Sequence, residues 1–252
     1  MSKKGNEFDA LAPLLRGFSL TTMLASLEEL TARARGESWD YPEYLRRLCE
    51  AEQEARHGRK LERLLKSARL PEGKTLATLD ERKLSVKLRR TLKQLLDGSF
   101  VGRCENVVAF GLPGRGKTHY LCAVAHELVL RHQYRVYFTA TFKLVQQLLE
   151  AKANLKLEAM LKKLDRFDVI ILDDLGYVKQ TREEMEVLFT FFAERYERRS
   201  VMISSNRVFS EWDQIFHDPM TAMAAVDRLV HHSVLLEFNG VSYRAGKKPG
   251  EV

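Results

Sequence analysis

The sequence predicts an α/β fold: a parallel sheet flanked by helices and preceded by a small all-helical domain. Two observations carry this. From Val107 onward, short apolar runs with β-branched residues alternate with helical patterns, and the first run opens into a glycine-rich loop. Residues 8 to about 70 read as helices only.

In order along the chain, "FDALAPLLRGFSLTTMLASLEELTARARG" contains two amphipathic segments. "DYPEYLRRLCEAEQEARHGRKLERLLKSARL" is one long helix, entered at Asp40 with Pro42 near its first turn. Glu/Arg pairs at three and four spacing support a mostly exposed helix. "PEGKTLATLD" breaks the periodicity, so the expected domains are 1–70 (helical), 71–81 (linker) and 82–252 (α/β). "RKLSVKLRRTLK" (82–93) carries six cations and no acid. As a helix it aligns Lys83, Lys87 and Arg90 on one face and Leu84, Leu88, Leu92 and Leu95 on another. That reads equally as a solvated face packed by leucines or as a phosphate-contacting one. The strand candidates are "NVVAF" (106–110), "RVYFTA" (135–140), "VIILDD" (169–174), "SVMISSN" (200–206) and "SVLLEF" (233–238). Ligands of such sheets sit at the carboxyl ends of the strands.

Length and composition agree, since 252 residues with 45% hydrophobic content suffice for one medium α/β domain and a small appendage. No apolar run reaches the roughly eighteen residues of a membrane span. Lys3, Lys4, Glu7 and Asp9 argue against a signal peptide, so a soluble, unexported, cytoplasmic protein with no membrane partner is expected. Cys49, Cys104 and Cys122 are far apart and odd in number, which implies reduced thiols rather than a metal site. Adjacent His231 and His232 would not both aim at one ion. The net charge of +7 favours polyanionic partners.

Chemistry concentrates at three strand ends. "GLPGRGKTH" fits G-x-x-x-x-G-K-[ST], a loop whose amides wrap phosphate oxygens. The expected nucleotide-binding residues are Gly111, Pro113, Gly114, Arg115, Gly116, Lys117, Thr118 and His119, with ATP and Mg²⁺ as cofactors. Lys117 would reach the β- and γ-phosphates, and Thr118 would ligate the Mg²⁺. "VIILDD" delivers Asp173, assigned to the metal, and Asp174, assigned as the base that deprotonates the attacking water. "SVMISSN" places the amide of Asn206 beside them, where it can position water and sense the γ-phosphate.

Together these three motifs resemble the AAA+ ATPases. "SNRVFSEW" (205–212) and "AAVDRLVHHSVLLEFNGVSYR" (224–244) are similar to the IstB/DnaC-like clade, and "YPEYLRRLCEAE" resembles the IstB-type helper ATPases of insertion-sequence transposons. The likeness runs from about residue 8 to 244. It implies that Arg228 is an arginine finger offered to a neighbouring subunit's ATP, with Arg207 as the alternative. It also implies that the helix 141–164 faces DNA, with Lys143, Lys152, Lys156, Lys162 and Lys163 as candidate contacts. The implied partners are double-stranded DNA, the element's transposase and further copies of the chain. ATP would hold subunits together on DNA, which the assembly bends while recruiting transposase. Two departures from the family pattern stand out. Asp174 replaces the Glu of many AAA+ enzymes, and the chain ends soon after Arg244, so no C-terminal lid domain is expected. Slow, switch-like hydrolysis follows. The alternative readings are a DnaC-like replicative helicase loader, a small-metabolite kinase, and a DNA-binding module with an inactive ATPase.

Overall fold

A computed structural model describes residues 8–176, 181–207, 229 and 232–239, divided between a unit ending at Arg63 and one beginning at Leu64. In the first, α1 (Leu11–Gly17) and α2 (Thr21–Glu37) precede the long α3 (Tyr41–Ala68), whose residues from Leu64 on belong to the second. Met23, Leu27 and Leu30 recur at helical spacing on α2 and are buried with Leu48 of α3. Leu20, which precedes α2, has no capping side chain. Glu52 of α3 substitutes for it, accepting hydrogen bonds from Thr22 N (2.8 Å) and Met23 N (3.0 Å). Asp40 Oδ1 accepts from Glu43 N at 2.8 Å, so α3 begins where the sequence indicated.

In the second unit, residues 71–81, expected as a linker, contain a 3₁₀ turn at Leu76–Thr78. Leu79 and Leu84 are buried in the same core as Leu88, Leu92 and Leu95 of α4 (Val86–Leu96). Ser85 Oγ accepts from Leu88 N at 3.2 Å and starts α4 at Val86. Lys83 is therefore not on the α4 face with Lys87 and Arg90. It lies in a second 3₁₀ turn, Glu81–Lys83, with its Nζ 3.5 Å from Asp80.

After the short α5 (Ser99–Gly102), the elements are β1 (Asn106–Phe110), α6 (Lys117–His132), β2 (Val136–Ala140), α7 (Thr141–Ala153) and α8 (Leu157–Leu164). They continue with β3 (Val169–Leu175), α9 (Arg182–Arg195), β4 (Ser200–Ser205) and β5 (Ser233–Glu237). Among the described residues all pairings are parallel, in the order β2-β3-β4-β1-β5. Alternate residues point to opposite faces. Val107, Ala109, Ile171 and Met202 pack on one side with α4 and α6, while Val108, Ile170, Leu172 and Ile203 pack on the other with α7 and α9. Burial on both faces explains why these strands are continuous apolar runs.

The helix expected at 141–164 is two helices. Leu155 adopts φ 56°, and Lys156 N donates back to Ala151 O at 2.7 Å, closing α7 before α8 begins. Among the described residues, no helix is long and apolar enough to cross a membrane.

Candidate nucleotide-binding site

Parallel register brings the carboxyl ends of β1, β3 and β4 together, pairing Phe110 with Ser205 and Leu175 with Ser205. A cavity of about 610 Å³ opens there, lined by the loop from Pro113 to His119, by Asp173, Asp174 and Asn206, and by Lys74 and Leu79. Gly114 and Gly116 have φ of 78° and 88°, values glycine adopts without steric cost, and Gly116 is the cap of α6. Loop amides of this kind converging on a helix N-terminus suit a phosphate chain.

Gly111 has a different place. It is buried behind the loop with φ 137°, and a Cβ there would come within 2.5 Å of the Phe238 carbonyl oxygen. The same oxygen accepts from Arg115 Nη1 at 3.0 Å, so the Arg115 guanidinium is held by the residue following β5.

Lys117 is 5% exposed, and its ammonium donates to Gly111 O (2.6 Å), Leu112 O (2.9 Å) and Asn206 Oδ1 (2.7 Å). Asn206 Nδ2 donates to Asp174 Oδ1 at 2.9 Å. Thr118 Oγ1 donates to Asp173 Oδ1 at 2.7 Å, and Ser204 Oγ donates to the same oxygen at 2.5 Å. Ser204 Oγ also accepts from Asp174 N at 2.9 Å, and Thr141 Oγ1 donates to Asp173 O at 2.9 Å. The adjacent acids are thus held separately. Asp173 faces the loop threonine, while Asp174 faces the Asn206 amide. The β3–β4 register shifts between Leu172 and Leu175, and within that shift Asp174 takes φ 58°. This irregularity turns two consecutive strand residues towards one cavity.

A threonine hydroxyl and a carboxylate 2.7 Å apart are hard oxygen donors, the set a magnesium ion takes when phosphates complete its shell. Beneath the loop, burial pushes the Cys122 thiol up to about 12, so it is not a nucleophile at neutral pH. Cys49 is exposed and Cys104 half-buried.

Among the DNA candidates, Lys87 and Arg90 are exposed on α4, Lys143 is exposed on α7, and Lys156 is exposed just before α8. Lys152 Nζ is 2.8 Å from Glu186 Oε1, so its charge is paired within the chain. Arg207 Nε donates to Gly176 O at 3.0 Å. Arg228 and His231 lie outside the described residues. Contributors to the site that were missed in the sequence are Lys74 and Leu79, hidden in a segment read as a linker, Thr141, which holds the Asp173 carbonyl, and Ser204. The only signal for Ser204 was a hydroxyl pair ending an apolar strand.

An all-parallel sheet with β1 between β4 and β5, and its site at the carboxyl edge, is the AAA+ fold. The DnaC helicase loader shares it, at a TM-score of 0.57 and 20% identity over 67% of this chain and 98% of that one. Within that class, residues 14–250 match the family described as IstB-like ATP binding protein, and the chain belongs to it. A protein of Sinorhizobium fredii named as an insertion sequence ATP-binding protein is 39% identical over 93% of this chain and 78% of its own length. A Pseudomonas aeruginosa protein named as the ATP-binding protein of insertion sequence IS21 is 36% identical over 94% and 89%.

Proposed function

We propose that this chain is the ATP-hydrolysing helper of an insertion sequence. In the cytoplasm it assembles as an oligomer on duplex target DNA, remodels that DNA, and recruits and stimulates the element's transposase. The observation that carries the reading is the linked set Lys117–Asn206–Asp174 beside Thr118–Asp173, in a chain whose relatives are insertion-sequence ATP-binding proteins.

Bound Mg²⁺-ATP supplies the phosphoryl group to be released. Thr118 and Asp173 would hold the metal, and Lys117 would exchange its carbonyl partners for phosphate oxygens. Asp174 would take the proton of a water positioned by Asn206. Arg228 would act on the nucleotide of a neighbouring subunit. The engagement of Arg207 with the Gly176 carbonyl favours Arg228 over it for that role. Residues 1–70 would form a helical domain joined to the ATPase domain, contacting DNA, the transposase or a neighbouring subunit. A basic surplus repeated through an oligomer supports salt-sensitive, largely sequence-independent DNA binding.

The test is the particle mass by mass photometry, with and without duplex DNA, in an ATP analogue and in ADP. Large discrete complexes requiring both DNA and the analogue are expected, and Lys117→Ala should abolish them. Assembly that persists in Lys117→Ala, or a monomer under every condition, rejects the scheme. Co-purification with a replicative helicase instead of transposase would favour a loader.

A further inference from the structure

Asn106 opens β1, whose other end, Phe110, leads into the phosphate loop. It is the strand's single polar residue and is 7% exposed. Burying an amide is costly unless both of its ends are hydrogen-bonded. Oδ1 accepts from Val201 N at 2.8 Å, and since a backbone N–H only donates, the orientation of the amide is fixed. Nδ2 then donates to Leu229 O at 3.3 Å, and the backbone N–H of Asn106 donates to His232 O at 2.7 Å. One residue thus ties both Leu229 and His232 to the amino ends of β1 and β4.

The grip matters because of what it holds. Leu229 directly follows Arg228 in the chain. Its side chain is 3% exposed and shares a core with Val108, Phe192 and Val201. Side chain and carbonyl together fix the backbone at this point, and pairing with β1 fixes it again from Ser233. Asn106 is not among the residues lining the nucleotide cavity, which lies at the carboxyl ends of the strands. It therefore touches nothing that its own subunit would bind there.

We propose that Asn106 is the positioning residue of Arg228, fixing the backbone from which that side chain reaches the nucleotide of a neighbouring subunit. The inference rests on the reading of Arg228 given above. Without the amide, the Leu229 side chain still anchors the segment, but its carbonyl is free to turn and the guanidinium is misplaced. A change at Asn106 then slows hydrolysis in the neighbour's site and leaves its own site intact.

The experiment mixes two full chains, each inactive by itself, on duplex DNA with Mg²⁺-ATP. Arg228→Ala has a complete nucleotide site and no finger, whereas Asp174→Asn has the finger and no base. The mixture should regain turnover, with Arg228→Ala supplying the sites and Asp174→Asn the fingers. Adding Asn106→Ala to the Asp174→Asn chain should cut that turnover about ten- to hundredfold, the scale of a misplaced catalytic group. Adding it to the Arg228→Ala chain should leave the turnover within about twofold. Asn106→Asp keeps the bond from Val201 N and sets a carboxylate against Leu229 O, so it should show the same asymmetry even if Asn106→Ala does not fold. A loss that follows the Arg228→Ala chain, an equal loss from both, or no loss overturns the inference while the finger reading stands. A mixture that regains no turnover, or an Arg228→Ala chain active by itself, overturns both.

Discussion

Lys117 and Asp174 are bridged by a single amide: Asn206 Oδ1 accepts from Lys117 Nζ at 2.7 Å, and Asn206 Nδ2 donates to Asp174 Oδ1 at 2.9 Å. A ligand that draws the ammonium towards phosphate changes one partner of Asn206, and the other partner is the proposed base. On the proposed reading the amide would thus couple phosphate occupancy to the acid. Asn206→Ala is expected to lower the ATPase rate about a hundredfold, the scale of losing a positioning or charge-stabilising donor. ATP affinity should change less than about threefold, because the phosphate loop remains. Steady-state turnover with an independent Kd checks this; a parallel loss of binding would make Asn206 a ground-state ligand instead.

Asp174 poses a different question, since a glutamate there would extend the carboxylate. Its φ of 58° falls in the left-handed region, which Asp and Asn tolerate better than longer side chains. Asp174→Glu should therefore lower stability by about 1 kcal/mol and give no gain in turnover. Thermal unfolding and ATPase rates measured on the same preparation decide it. A faster and equally stable variant would mean that side-chain reach, not backbone conformation, limits the site.

The tightest steric constraint is at Gly111. A methyl group there meets the Phe238 carbonyl at 2.5 Å in a backbone conformation that disfavours side chains. Phe238 cannot retreat easily, as its ring packs edge-on against buried Tyr120 with centroids 5.5 Å apart. Gly111→Ala should cost about 2 to 4 kcal/mol, visible as a lower denaturant midpoint. A midpoint equal to wild type would mean that the β5 end yields freely.

These three predictions also mark how far the sequence can be read. The strands were legible because burial on both faces makes them uninterrupted apolar runs. Lys117, Thr118, Asp173 and Asp174 were legible because each motif is local. Gly111 against Phe238, Ser204 on Asp173 and Asn106 on Leu229 join residues 127, 31 and 123 positions apart, and nothing local encodes such contacts. The break between α7 and α8 was hidden for another reason. It is made by a leucine in the left-handed conformation, with neither glycine nor proline to mark it.

The basic helix offers the last test. Lys87 and Arg90 stand exposed on α4, whereas Lys152 on α7 is already paired with Glu186 at 2.8 Å. A cation that neutralises a DNA phosphate releases about 0.9 of a counterion, so each lost contact lowers the salt slope by about that much. If α4 faces the duplex, the double variant Lys87→Ala/Arg90→Ala should weaken binding at every sequence and reduce the slope of log K against log salt by about two per subunit. Lys152→Ala should leave the slope nearly unchanged, because its charge is spent within the chain. Fluorescence anisotropy on a short duplex at several salt concentrations measures both. The reverse pattern would assign the DNA path to α7 and leave the α4 cations as a solvated face over a leucine core.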